Sequence, residues 1–148
     1  MSTTTNISPI EAADPANAAK AVVLLIEDDC DDADFLVEAF HELSPRHEVV
    51  CFTGADKLFS YLNSLSADAL PCLIITDLNI PVINGIAILN MLTEDKRYTS
   101  IPKIVYSHSS NPHDKESSFS AGALTYIKKP NTIAAIKENV KDMLGFCR

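Results

Sequence analysis

The sequence alternates short apolar runs with longer segments that repeat apolar residues at helical spacing. The first run, residues 21–26, is apolar throughout and rich in β-branched residues, as expected for a strand covered on both faces. Four similar runs follow, at residues 48–52, 72–76, 103–106 and 124–128. Five β/α units in strict alternation predict an α/β fold, a doubly wound parallel sheet with five helices on its two faces.

Helix signals separate these runs. Asp31 and Asp32 stand where they can cap or charge the start of the first helix. Thr53, three residues before Asp56, resembles a capping box for the second helix, and the pair Asn84–Gly85 turns the chain into the third. The apolar stripes that these helices should bury include Leu36, Ala39, Phe40, Leu58, Leu62, Ile88, Leu92, Ile136 and Val140.

Length and charge limit the class of protein. The 148 residues, 47% of them hydrophobic, suit one domain over residues 21–148, whereas residues 1–20 have no periodic apolar face and predict a disordered N-terminal tail. A net charge of -8 argues against direct nucleic-acid binding, which needs a basic face. No apolar run approaches the roughly 20 residues of a membrane span, so we expect a cytoplasmic protein without membrane contact.

The four cysteines lack the CxxC spacing of metal and redox motifs, and the chain has a sizeable core of its own. This pattern predicts reduced thiols. The residues concerned are Cys30, Cys51, Cys72 and Cys147.

Polar side chains follow four of the apolar runs at the point where each predicted strand ends. Glu27 and Asp28 follow the first run, Asp77 the third, Ser107 the fourth and Lys129 the fifth. The carboxyl ends of parallel strands meet at one edge of the sheet, where open α/β folds place their ligands. Acids, a hydroxyl and an amine gathered at that edge favour phosphoryl chemistry on a carboxylate.

Carboxylates crowded at one edge repel one another, and their ionised forms coexist readily only beside a cation. Oxygen ligands without histidine or cysteine nearby favour a hard ion, Mg²⁺ above all. Such an ion would let an anionic phosphoryl group approach an anionic nucleophile.

The ordered set of these motifs resembles the receiver domain of two-component response regulators. The resemblance covers about residues 21–145 and implies a flavodoxin-like sheet of strand order 2-1-3-4-5. The matching residues are Glu27, Asp28, Asp77, Asn84, Gly85, Ser107, Tyr126, Lys129 and Pro130.

The resemblance also implies roles for single residues. Asp77 is the phosphoacceptor and, with Asp28 and the main-chain carbonyl of Asn79, a direct Mg²⁺ ligand, while Glu27 acts through water. Lys129 then binds a phosphoryl oxygen.

Ser107 is expected to hydrogen-bond the phosphoryl group, and Tyr126 to change its rotamer with phosphorylation. By the same resemblance, the peptide bond between Lys129 and Pro130 is expected to be cis.

The function implied is that of a single-domain response regulator, a signalling domain that assists its own phosphorylation and dephosphorylation rather than an enzyme. A histidine kinase or phosphotransfer protein supplies the phosphoryl group, and a downstream protein reads the changed surface around helix four, strand five and helix five. Because the chain ends at Arg148, directly after helix five, no effector domain is expected. Pairing through the helix four to helix five face would give a homodimer.

His108 departs from the small residue that many receivers keep after the Ser/Thr position, and its side chain is expected to lie over the mouth of the pocket.

Two other classes of protein fit less well. A haloacid dehalogenase phosphatase needs a second aspartate where this chain has Asn79, and a flavodoxin-like cofactor binder needs a phosphate loop where it has carboxylates. A receiver-fold interaction module that is never phosphorylated stays open.

Overall fold

The computed structural model describes residues 21–147, in which five strands alternate with five α-helices. The strands are β1 (Ala21–Ile26), β2 (His47–Phe52), β3 (Leu73–Thr76), β4 (Lys103–Ser107) and β5 (Thr125–Lys128). The helices are α1 (Cys30–Leu43), α2 (Ala55–Asn63), α3 (Gly85–Glu94), α4 (Pro112–Ser120) and α5 (Ile133–Leu144). The tail predicted over residues 1–20 lies outside the described part of the chain.

All five strands pair in parallel, in the order β2-β1-β3-β4-β5. The predicted fold class and strand order are therefore confirmed. The register places Ile26, the last residue of β1, opposite Thr76, the last residue of β3. Glu27 and Asp77, which follow these two residues, consequently leave the sheet side by side.

Side chains alternate between the two faces of the sheet with the period of two that strands impose. Val23 and Leu25 of β1 pack with α1 and α5 on one face, whereas Leu24 and Ile26 pack with α2 and α3 on the other. All four are essentially inaccessible to solvent, and burying a side chain of this size contributes about 1.5–3 kcal/mol. Both faces of the central strand are thus covered, which explains its continuous apolar sequence.

The helix starts differ in detail from the sequence-based expectation. Asp29 is the N-cap of α1, and its carboxylate accepts a hydrogen bond from Asp32 N at 3.0 Å. Asp31 and Asp32 lie within the first turn, where negative charge favours the helix dipole. The capping box predicted from Thr53 is wrong, because Gly54 is the N-cap of α2 and no side chain caps that helix.

The expectation of four reduced thiols is also wrong for one pair. Cys72 and Cys147 form a disulfide, with their Cα atoms 4.8 Å apart although the two residues are 75 positions apart in sequence. Folding brings the end of α5 onto the start of β3, a proximity that sequence spacing cannot reveal. Cys30 and Cys51 are free and exposed.

No helix within residues 21–147 has both the length and the apolar character that crossing a membrane requires.

Candidate functional site

The carboxyl ends of β1, β3, β4 and β5 bring four polar side chains together, as the sequence predicts. Glu27, Asp77, Ser107 and Lys129 are all buried. Main-chain hydrogen bonds fix the strand ends, because Asp77 N donates to Ile26 O at 3.0 Å and Lys129 N donates to Ser107 O at 2.8 Å. The site is therefore built on the sheet itself.

The ammonium group of Lys129 is the centre of the site. Its Nζ lies 2.5 Å from Glu27 Oε1, 2.8 Å from Asp77 Oδ2 and 2.9 Å from Asp32 Oδ2. An ammonium group has three protons to donate, so these three carboxylates satisfy it. Burial by itself would lower the pKa of Lys129, but the hydrogen bonds to Asp77, Glu27 and Asp32 outweigh it and raise this pKa.

Glu27 responds differently to the same surroundings. Burial raises its pKa to about 7 and the negative charge of Asp77 adds to this effect, although the hydrogen bond from Lys129 opposes both. For the less buried Asp32, desolvation raises the pKa of the carboxyl group, but the hydrogen bonds and positive charges of Lys129 and His108 together outweigh it and lower this pKa. Glu27, Asp32 and Asp77 thus share a single ammonium group.

Asp77 is held at both of its carboxylate oxygens. Leu78 N donates to Oδ1 at 2.6 Å, while Lys129 donates to Oδ2. The loop after Asp77 folds back so closely that a Cβ at Gly85 would collide with the main-chain carbonyl of Asp77. Asn84 caps α3 by accepting a hydrogen bond from Ala87 N at 2.9 Å. The predicted Asn84–Gly85 turn is confirmed, and it shapes the wall of the site.

Ser107 and Tyr126 meet the same loop, the segment between β4 and α4. Ser109 N donates to Ser107 Oγ at 3.2 Å, and the Tyr126 hydroxyl donates to Ser109 O at 2.7 Å. Ser107 is fully buried, whereas Tyr126 is half-buried. Two of the predicted site residues are thus linked to each other through Ser109.

The residues predicted around a metal ion differ in exposure. Glu27 and Asp77 are buried against Lys129, whereas Asp28 and Asn79 are exposed. All are oxygen donors within three residues of the end of β1 or β3, and the one ammonium group present does not balance their negative charge. The donor set fits a hard divalent cation.

Sequence reasoning missed Asp32 as a site residue and considered it only as part of a helix start. In the structure it is the third partner of Lys129, and it also lies 3.2 Å from His108 Nε2. His108 is largely exposed and borders, with Asp32 and Lys129, a cavity of about 270 Å³ whose apolar wall includes Phe35 and Ile133. Because the Asp32–Lys129 contact spans 97 residues, no local sequence signal could have found it.

The cis peptide bond implied between Lys129 and Pro130 is wrong for this structure, in which no peptide bond of residues 21–147 is cis. The trans form is the intrinsically favoured isomer before proline. It allows Lys129 both its main-chain hydrogen bond to Ser107 and its three carboxylate contacts.

Comparison with known proteins identifies the family. Residues 23–141 match the response regulator receiver domain family. A probable methanogenesis regulatory protein, FilR2 of Methanothrix harundinacea, is 24% identical over 90% of this chain and 84% of its own length. A chemotaxis protein CheY homolog of Campylobacter jejuni is 32% identical over 49% of this chain and 55% of its own length.

Solved structures give the same result. The phosphorylated cyanobacterial phytochrome response regulator RcpA is 30% identical, with a TM-score of 0.77 over 87% of this chain and 94% of that one. The Mn²⁺-bound form of response regulator Rcp1 has the same fold, with a TM-score of 0.73 at 23% identity over 85% of this chain and 93% of that one.

The chain belongs to the response regulator receiver domain family. Its members are signalling domains that act through phosphorylation and bind a divalent metal ion.

Proposed function

We propose that this protein is a response regulator that accepts a phosphoryl group on Asp77 from a histidine kinase or phosphotransfer protein. Mg²⁺ would be held by Asp28, Asp77 and the main-chain carbonyl of Asn79, with Glu27 contributing through water. The phosphorylated form would signal to a downstream protein through a changed surface.

One observation carries this proposal: the buried ammonium group of Lys129 lies 2.8 Å from Asp77 Oδ2 and contacts two further carboxylates. A lysine that serves only the fold needs one partner and can keep its charge in water. Here the ammonium group of Lys129, which directly follows β5, is buried among three carboxylates. One of them belongs to Asp77, the aspartate that directly follows β3. That arrangement supports a pocket for an incoming anion.

The reaction would transfer a phosphoryl group from a phosphohistidine nitrogen to a carboxylate oxygen of Asp77, so that a P–N bond breaks and an O–P bond forms. Mg²⁺ would supply positive charge for the transferred oxygens. Lys129 would exchange its contact with Asp77 for one with a phosphoryl oxygen. Leu78 N, now bound to Asp77 Oδ1, keeps the carboxylate oriented.

Ser107 and Tyr126 offer a route from the pocket to the surface. If the hydroxyl of Ser107 turns to a phosphoryl oxygen, its contact with Ser109 N changes, and Ser109 O is the acceptor for the Tyr126 hydroxyl. The two conformations of this loop would then differ in their affinity for phosphate and for Tyr126.

The surface that a partner reads would include exposed apolar side chains on α4, which follows this loop, and next to β5, which carries Tyr126. Phe119 on α4 is 44% exposed, and Leu124, immediately before β5, is 57% exposed. Large exposed apolar residues beside an element that moves are suited to a protein partner.

Intact mass after incubation with a phosphoramidate donor and Mg²⁺ tests the acceptor. The wild type should gain one phosphoryl group and Asp77→Asn none, while Asp68→Asn, a change at an exposed aspartate before β3, serves as the matched control. A modified Asp77→Asn protein would refute the acceptor assignment. An unmodified wild type would instead favour an interaction module of the same fold.

Hydrogen exchange separates modification from switching. Lys129→Ala should still accept phosphate, yet residues 107–111 should exchange equally fast with and without the donor. In the wild type the donor should change exchange in this segment. Equal responses of the two proteins would contradict the role given to Lys129.

A further inference from the structure

A second group of reactive side chains lies at the opposite edge of the sheet. His47 is the first residue of β2, Cys72 directly precedes β3, and Cys147 follows α5. One ring nitrogen of His47 and the two sulfur atoms all lie within 4.8 Å of one another. The three ligand atoms are therefore close enough to share one metal ion.

The fold, rather than a local motif, builds this group. Cys72 and Cys147 both pack against the core between the sheet and helices α1 and α5. His47 Nδ1 lies 2.5 Å from the Ser44 hydroxyl oxygen, so the imidazole ring has a polar partner that fixes its orientation. All three side chains are half-buried, which leaves access from solvent.

We infer that, when both cysteines are reduced, His47, Cys72 and Cys147 bind one Zn²⁺ ion. Two thiolates and one imidazole are ligands that zinc prefers. The two thiolate charges balance the ion, so the half-buried site carries no net charge. Binding displaces the two thiol protons to solvent, and water completes the tetrahedral coordination.

The disulfide and the metal site are alternative states of the same two sulfur atoms. A dithiol reductant would supply two electrons and two protons to the Cys72–Cys147 bond and would itself become a disulfide. The resulting thiols can then ligate zinc. A disulfide oxidant would reverse the sequence: it would accept two electrons from the thiolates and become a dithiol, the Cys72–Cys147 bond would form again, and the ion would be released.

His47 is the observation that favours a metal site over a disulfide alone. A disulfide needs only the two cysteines, yet the histidine converges on them and is oriented by Ser44. Metal-ligating histidines characteristically have a polar partner that orients the ring. A cavity of about 460 Å³, lined in part by Cys72 and Phe146, gives solvent access to one of the two sulfur ligands.

Cobalt absorption tests the inference with the full chain. The protein is reduced with a dithiol, freed of it without oxygen, and titrated with Co²⁺ in excess Mg²⁺, which competes for the oxygen ligands near Asp77. The reduced wild type should develop thiolate-to-cobalt charge-transfer absorption that saturates at one ion per chain, and Zn²⁺ should abolish it. The disulfide form should stay without this absorption.

Variants then assign the ligands. Cys147→Ser should lose the charge-transfer intensity of one thiolate, and His47→Gln should weaken binding. Ser44→Ala should weaken it roughly tenfold, as loss of a partner that orients a ligand does. Cys51→Ser, a matched change at an exposed cysteine, should bind like the wild type.

A reduced wild type without charge-transfer absorption would overturn the inference. So would absorption that is unchanged in both Cys147→Ser and His47→Gln. Because Cys147 follows the last helix, its substitution leaves the core elements intact, and far-ultraviolet circular dichroism checks that the variant is folded.

Discussion

Replacing Glu27 by glutamine removes a buried carboxyl group whose pKa burial raises well above its ordinary value. In the folded protein this pKa is about 7, against a reference of 4.5. The folded state therefore holds the Glu27 proton at pH values where the unfolded chain has released it. Stability from this group is fully present below pH 4.5 and falls as the pH rises to about 7.

The magnitude follows from the same pair of values. At about 1.4 kcal/mol per pH unit, the loss across this window is roughly 3 kcal/mol in metal-free protein. With urea slopes of roughly 1–3 kcal/mol per molar, the midpoint of unfolding would fall by about 1–3 M between pH 4.5 and 7 from this group alone.

Urea unfolding in chelator, followed by far-ultraviolet circular dichroism at several pH values, measures the difference between the two proteins. The free energy of unfolding of Glu27→Gln relative to the wild type should increase across the window, because glutamine does not titrate. Glu116→Gln, an exposed glutamate on α4, controls for loss of one carboxyl group. Parallel pH profiles for the wild type and Glu27→Gln would refute the reasoning.

Three further changes test other parts of the site. Free Mg²⁺ at roughly 100 times its dissociation constant should stabilise the folded protein by about 2.7 kcal/mol, and less in Asp28→Asn; equal wild-type melting temperatures with Mg²⁺ and with chelator would exclude this site. Gly85→Ala should destabilise the fold by roughly 1–3 kcal/mol in urea unfolding because its Cβ meets main-chain atoms, whereas Gly54→Ala, with nothing near its Cβ, should cost less; equal losses would contradict the close approach. His108→Ala, which removes the group beside Asp32, should speed phosphorylation by small donors and shorten the life of the phosphorylated form; unchanged rates above and below pH 6.5, about the reference pKa of histidine, would show that His108 does not guard the pocket.

Much of the site followed from the positions of single residues relative to predicted strands. Glu27, Asp77 and Lys129 each come directly after an apolar run, and parallel pairing then gathers them at one edge. Gly85 was predicted as a turn residue, although sequence gave no indication that the main chain of Asp77 would lie against it.

Contacts between distant segments could not be predicted in the same way. Asp32 has the sequence context of a helix start, and only the packing of α1 on the same face of the sheet as α5 makes it a partner of Lys129. Cys72 and Cys147 likewise meet because α5 returns to the start of β3. Neither relation leaves a pattern in the spacing of the residues.

The sequence by itself determined the order of strands and helices, the burial of the central sheet and the edge at which the acids and Lys129 emerge. These features depend on the local spacing of apolar residues and on the alternation of strands with helices, and both can be recognised in the sequence. The tertiary structure alone decided that Lys129 bonds three acids, that burial raises the pKa of Glu27, and that His47 converges with two cysteines. Each of these depends on distances of a few ångströms between segments far apart in sequence, and those distances are fixed only when the helices pack on the sheet.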